Sequence, residues 1–388
     1  MPVAAKGAGR ARIPWGIAGA LALVVLVESR VGRRDLHLTH ELTTGYRASG
    51  EAASRVGDCR LLCLGDSLIK HGVAPRVLEE RLGLRAYNLA SAGGVAPLTY
   101  FLLRRALDSG ARPTALVIDA FPTQLQTDPL LAERSLAAVL RPGEALDLAR
   151  RSHDAGLPGR LLAARLLPSV AHRAEIREVL TLAAAGVAAQ FGPVNRVAAR
   201  NVRVNRGAYL LEKNPDAERT PEHPDEAVIM AMGPWGCHPT NAAYLRGCLD
   251  LAAARGIVVY WLLPPIQPRL QARRERSGYD AGYDRMVEGL LVRYPNLTVI
   301  DGRHAGYPGR VFHDGSHLDA QGAYAYSLAL AEVLRRPGPG SRRVILPTCR
   351  DFPVPDWLED RTGSAHALFG RARPKGADVA RRPGRGPA

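Results

Sequence analysis

Residues Arg60 to Lys70 read Arg-Leu-Leu-Cys-Leu-Gly-Asp-Ser-Leu-Ile-Lys. An apolar run of strand length that stops at Gly-Asp-Ser is how a buried parallel strand delivers a small polar side chain to the rim of a sheet. That makes Ser67 a candidate nucleophile. A serine hydroxyl is weak alone and needs a histidine base, a group that orients the histidine, and donors for an oxyanion. Each should follow another strand. The competing reading makes Gly65-Asp66-Ser67 a strand-to-helix turn, with Asp66 or Ser67 as the helix cap.

The rest of the chain repeats the strand-and-helix rhythm. Ala74 to Leu82 has helical spacing, Ala86 to Leu89 is a short strand, and a small-residue loop follows from Asn88 to Gly94. A helix from Leu98 to Asp108 and a strand from Ala115 to Ala120 come next. Strands joined by helical crossovers predict a parallel sheet covered by helices on both faces. The rhythm breaks from Leu125 to Met232, where leucine- and alanine-rich helical stretches occupy Leu130 to Leu140, Glu144 to Arg151 and Val170 to Gln190. The end of this stretch, Glu212 to Asp225, reads as an exposed loop. Because the insertion leaves the sheet after strand three, it is expected to cap the rim where Ser67 lies. The rhythm resumes with a helix over Asn241 to Arg255, a strand over Ile257 to Leu263, a helix over Tyr279 to Tyr294, a strand over Leu297 to Ile300 and a helix over Ala320 to Leu334.

Three basic residues, Lys6, Arg10 and Arg12, precede an uncharged run from Ile13 to Val27. Fifteen residues make a helix of about 22 Å, short of a roughly 30 Å hydrocarbon core, so both a signal peptide and a short anchor fit. The absence of an Ala-x-Ala site after the run favours an anchor, with the basic end cytoplasmic and the bulk of the chain across the membrane. The chain thus divides into an N-terminal membrane anchor or signal segment (1–28), a linker (29–57), an α/β domain (58–124 and 236–336), a mostly helical insertion (125–235) and a basic, partly disordered tail (337–388).

A formal charge of +15 invites a nucleic-acid partner, but only four of the 52 basic residues are lysine and the arginines are scattered. No zinc-finger spacing, RNA-binding aromatic signature or basic heptad helix is present, so no nucleic acid is expected as a partner. Five cysteines make no disulfide framework in a chain of 388 residues, though Cys237 and Cys248 can pair in an oxidising compartment. No Cys and His spacing points to a metal, and the chemistry below needs no cofactor.

The candidate groups fall at the carboxyl ends of the strands, where an open parallel sheet places its site. Ser67 follows strand one; Gly93 follows strand two, where its amide and that of Ser67 can donate to an oxyanion. Asp314 and His317 follow strand five. Three residues apart, the carboxylate can hold one imidazole nitrogen and leave the other to take the serine proton. His71, His238 and His313 also lie near strand ends and read as surface or supporting groups, with His313 the rival to His317 because it adjoins Asp314.

In this order, Gly65-Asp66-Ser67, Asn88 with Gly93, and Asp314-x-x-His317 before the last helix resemble the SGNH hydrolases, or GDSL esterases. The resemblance covers about Asp58 to Gln124 and Gly236 to Leu334. It implies a flavodoxin-like three-layer sandwich around a five-stranded parallel sheet, with Ser67 as nucleophile, Gly93 as oxyanion donor, His317 as base and Asp314 as its partner. The family's third block, Gly-x-Asn-Asp, is replaced by Asp119-Ala120-Phe121-Pro122-Thr123, and Thr123 stands near the place of the oxyanion asparagine. Membrane-anchored relatives that transfer or remove acetyl groups on extracellular polysaccharide have similarly altered third blocks. The resemblance thus implies an acyl ester substrate, carbohydrate among the partners, and a seryl-ester intermediate. The altered block also leaves open a catalytically weak protein that binds carbohydrate or scaffolds an envelope complex.

Overall fold

The computed structural model describes residues 15–33, 38–189, 191–218, 234–335 and 342–350, with Pro355 and Leu358. Its centre is one all-parallel sheet of six strands: β1 (Leu61–Leu64), β2 (Ala86–Asn88), β3 (Ala115–Ile118), β4 (Val258–Leu263), β5 (Leu297–Asp301) and β6 (Arg343–Ile345). Their order is β2-β1-β3-β4-β5-β6. The chain therefore steps from β1 to one side and returns to the other, which opens a crevice beyond the carboxyl end of β1.

The strands read as continuous apolar runs because both faces of the sheet are covered. Leu62, Leu116 and Val259 lie side by side in register and belong to one core, with Trp261, Leu263 and Val299. Their sequence neighbours Cys63, Val117 and Tyr260 are also in register and belong to the core on the other face, with Leu262 and Ile300. Each fully buried leucine contributes on the order of 1.5–3 kcal/mol. On the first face pack α2 (Glu41–Ala52), α5 (Ala96–Asp108), α13 (Pro239–Ala253) and α15 (Tyr279–Arg293). On the second pack α4 (Pro75–Leu82) and α16 (Ala320–Arg335). Several helices carry proline in the first turn, at Pro75, Pro97, Pro122, Pro239 and, in α14 (Pro268–Arg276), Pro268, where the missing N–H would have had no helical partner anyway.

Two expectations for the ends of the chain are corrected. The 29–57 linker contains α2, whose Tyr46 is 1% exposed and donates its hydroxyl to the Gly93 carbonyl at 2.6 Å. The Ser49 hydroxyl donates to the Ala90 carbonyl at 3.1 Å, so this helix is part of the first face. The sheet has six strands where five were expected, and the sixth lies in the stretch expected to be a basic, partly disordered tail, with Arg343 opposite Val299. A three-residue edge strand in an arginine-rich context carries too little pattern to be read. The remainder of the tail, 351–388 apart from Pro355 and Leu358, lies outside the described residues.

The first helix, α1 (Trp15–Arg33), is long and apolar enough to cross a membrane, with a mean hydropathy of 1.5 over Trp15–Gly32 and none of that stretch buried. Among the described residues, helices follow β3 in series: α6 (Pro122–Gln126), α7 (Glu133–Ala137), α8 (Pro142–Ser152), α9 (Leu157–Leu166), α10 (Pro168–Ala171), α11 (Arg173–Ala184) and α12 (Phe191–Val204). Gln190 is not among the described residues. These helices pack mainly on the flank of the first face: α7 and α12 contact α2, α8 contacts α13, and Glu144 of α8 pairs with Arg105 of α5. The stretch that reaches the strand ends is 207–218; from Glu212 it is the largely exposed loop expected, but with fixed contacts to the core. Leu211 bridges Asp319, and the buried Ala217 accepts a bond from Gln267 Nε2 at 2.8 Å. Residues 219–225 lie outside the described part.

Candidate active site

Beyond Leu64 the chain must turn sharply into α3 (Ser67–Gly72). Gly65 makes the turn at φ +142°, and a Cβ there would meet Asp119 Oδ1 at 1.9 Å, so only glycine fits. Asp66 is the N-cap: its Oδ1 accepts from the Leu68 amide at 2.9 Å. Its Oδ2 accepts from the Phe121 amide at 2.8 Å, which ties the end of β1 to the end of β3. Capping and catalysis therefore fall on different residues, with Asp66 holding the helix start and Ser67 free in its first turn. As the first helical residue, Ser67 has an N–H with no partner inside the helix.

The Ser67 hydroxyl lies 2.8 Å from His317 Nε2, and His317 Nδ1 lies 2.8 Å from Asp314 Oδ2. With its proton on Nδ1, the imidazole donates to Asp314 and accepts from Ser67. Asp314 Oδ1 also accepts the backbone amides of Ser316 and His317, each at 2.8 Å. Burial alone would raise the Asp314 carboxyl, but the His317 hydrogen bond and charge and the two amides hold it well below the usual carboxylate range. It stays ionised. The loop is closed by an antiparallel bridge between Phe312 and Leu318 and by the His313 amide donating to the His317 carbonyl at 2.7 Å. His313 itself turns to the insertion, with Nδ1 2.8 Å from the Glu212 carbonyl, so His317 faces Ser67 and its rival does not.

Gly93 sits in the loop after β2 at φ +65°, and its carbonyl is pinned by Tyr46. Among the described residues its N–H enters no backbone hydrogen bond. The close approach to the nucleophile turn belongs to its neighbour: a Cβ on Gly94 would meet the Gly65 carbonyl at 2.5 Å and the Asp66 Cα at 3.3 Å. Sequence reading singled out Gly93, and only the packing identifies Gly94. Asn88 is structural, its amide donating to the Ile69 and Val73 carbonyls at 2.8 and 3.0 Å at the end of α3. Thr123 is buried in α6 and, among the described residues, makes no hydrogen bond to Ser67, Gly93 or His317.

Of three buried neighbours of the site, the sequence read His71 as a surface or supporting group and gave Asp119 and Lys70 no part. His71 is buried, and its Nδ1 lies 2.6 Å from the Tyr209 carbonyl. Its ring meets that of His317 edge-on at 5.1 Å between centroids. Burial, followed by the nearby His317, pushes His71 well below the ordinary histidine value, so it stands as a neutral prop. His238, by contrast, is the N-cap of α13. Asp119 directly follows β3 and accepts the Asp66 amide at 3.2 Å through Oδ1. Burial first, and the Asp66 charge second, push Asp119 well above the usual carboxylate range; Asp66 is raised less because two amides support its charge. The third neighbour is Lys70, 2% exposed, whose ammonium has no hydrogen-bond partner and which burial lowers to about 7.

All five cysteines are free, including Cys237 and Cys248. Among the described residues no group of three or more His, Cys, Asp and Glu side chains is placed to hold a metal. No protein-family model matches the chain, and no curated protein matches it.

Proposed function

We propose that the chain is a serine esterase or acyltransferase of the SGNH type, with a flavodoxin-like α/β core, that acts through a seryl ester. The observation that carries this reading is the continuous chain Ser67 Oγ, His317 Nε2, His317 Nδ1, Asp314 Oδ2, with both contacts at 2.8 Å. The Ser67 oxygen attacks the ester carbonyl as His317 Nε2 takes its proton, and the oxyanion forms against the amides of Ser67 and Gly93. The carbonyl reforms as the alkoxide leaves, taking the proton from His317. Water then attacks the seryl ester in hydrolysis, or a sugar hydroxyl in transfer, again through His317. The substrate class is an acyl ester, and an O-acetyl group on extracellular polysaccharide fits a site carried outside the cytoplasm by α1 as a membrane anchor. Anchoring is supported by the length and exposure of α1 and by Lys6, Arg10 and Arg12 before it.

A second reading, a catalytically weak protein that binds carbohydrate or scaffolds an envelope complex, is favoured by one observation. Thr123, in the place of the third-block asparagine, makes no bond to the site among the described residues, and losing one such donor costs a hundredfold or more in rate. A fluorophosphonate separates the two. The first reading predicts a covalent phosphonyl adduct at Ser67 with loss of fluoride, absent in Ser67→Ala and strongly slowed in His317→Ala. An unreactive wild-type protein, or one labelled equally well without His317, would favour the second.

A further inference from the structure

The helices α9 and α11 turn their leucines the wrong way for a water-exposed surface. In α9, Leu157 and Leu161 face inward, yet Leu162 and Leu166, four residues apart on the opposite side, are 56% and 65% exposed. In α11 the one fully buried residue is Glu175, paired with Arg134, while Leu180 is 64% exposed; Val170 and Val187 are exposed as well. A helix that buries its glutamate and presents its leucine is not stabilised by water on that face.

The same helices adjoin the apolar N-terminal helix. The Glu28 carboxylate, near the end of α1, accepts both the amide and the hydroxyl of Ser169 in α10, the turn between α9 and α11. The 19 residues of α1 make a helix of about 28 Å, close to the roughly 30 Å hydrocarbon core. Glu28 is the first charged residue after the uncharged run from Ile13 to Val27, so it stands where α1 would leave the lipid, and Ser169 with it. Charge agrees with that level. Residues 157–189 contain four arginines and two glutamates and no lysine or aspartate, with Arg173 and Arg177 exposed beside the apolar residues. Apolar side chains edged by arginine are what an interfacial segment presents to a phospholipid leaflet.

We infer that α9, α10 and α11 lie on the surface of the bilayer that α1 crosses, with Leu162, Leu166, Val170 and Leu180 in the acyl boundary and Arg173 and Arg177 among the headgroups. This second contact would hold the α/β core at a fixed height and orientation over the membrane instead of on a free tether. The inference rests on the reading of α1 as an anchor. It is tested with the full chain, its Cys237 and Cys349 replaced by serine, reconstituted in phosphatidylcholine–phosphatidylglycerol vesicles. Nitroxides are placed singly at Leu166→Cys, Leu180→Cys, Leu23→Cys in α1 and at the exposed Val292→Cys of α15, and relaxation by oxygen is compared with relaxation by a water-soluble nickel chelate.

Lipid contact predicts that oxygen is the stronger relaxer at Leu23, Leu166 and Leu180, and nickel at Val292. Nickel dominating at Leu166 and Leu180 while oxygen dominates at Leu23 would overturn the inference and leave the anchor standing. Nickel dominating at Leu23 as well would overturn both. Low accessibility to both reagents at Leu166 and Leu180 would mean that a protein surface, a second copy or another partner, covers the patch, and would equally overturn it.

Discussion

His317 has to be held by one nitrogen and left free at the other, and the three amide and carboxylate contacts of Asp314 do this with residues from a single seven-residue loop. The same economy appears at Asp66, one oxygen capping α3 and the other anchoring Phe121. Its cost is the neighbouring Asp119, whose carboxyl is pushed well above the usual range by burial and by the Asp66 charge. The sign of the consequence is fixed. A carboxyl raised in the folded state keeps its proton when the unfolded chain, near 3.9, has lost it, so its stabilising contribution is present below about pH 3.9 and falls away as pH rises towards the folded value. Asp119→Asn removes that fall while keeping the shape. Urea midpoints measured from about pH 4 to pH 9 should show the variant gaining on the wild type as pH rises. Parallel curves would mean that the pair carries no such proton.

At the scale of elements, α3 joins a nucleophile to a fully buried lysine three residues on. Lys70 has a folded value of about 7 against about 10.4 unfolded, so the unfolded chain binds more proton between these limits and stability should rise with pH across that window. Lys70→Met should stabilise the protein most below about pH 7 and progressively less towards pH 10. A pH-independent difference in thermal midpoint would contradict the burial of an unpaired ammonium. The elements also show what pattern can carry. Leu61–Leu64 and Val258–Leu263 were legible because strands buried on both faces are apolar without interruption. Helix α3 was signalled only by its cap at Asp66 or Ser67 and not by a period, since five of its six residues are buried and no exposed face marks one. Helix α2 was missed for the opposite reason: Glu-Leu-Thr-Thr-Gly-Tyr-Arg-Ala-Ser-Gly-Glu-Ala is polar, and it docks through hydrogen bonds of Tyr46 and Ser49.

On the scale of the whole molecule, a parallel sheet gathers residues 250 positions apart in sequence, Ser67 and His317, at one rim. Ser67, Asp314 and His317 could be read in advance because each follows a strand-like run in the order the chemistry requires. Gly94, Asp119 and the contacts of the 207–218 stretch could not, because their places depend on which loops pack together, and side-chain identity alone does not specify that. The insertion likewise reads as helical in sequence, while its attachment to the flank beside α1 emerges only from contacts such as Glu28 with Ser169. The central claim, an ester formed on Ser67, is tested by mixing the full-length protein with phenyl acetate, quenching in acid and mapping the added mass by peptide sequencing. The account predicts one acetyl group on the Ser67 peptide in the wild type, much less in Asp314→Asn, and none in Ser67→Ala or His317→Ala. Phenol release without acetyl on Ser67, or acetylation that persists undiminished in His317→Ala, would contradict it.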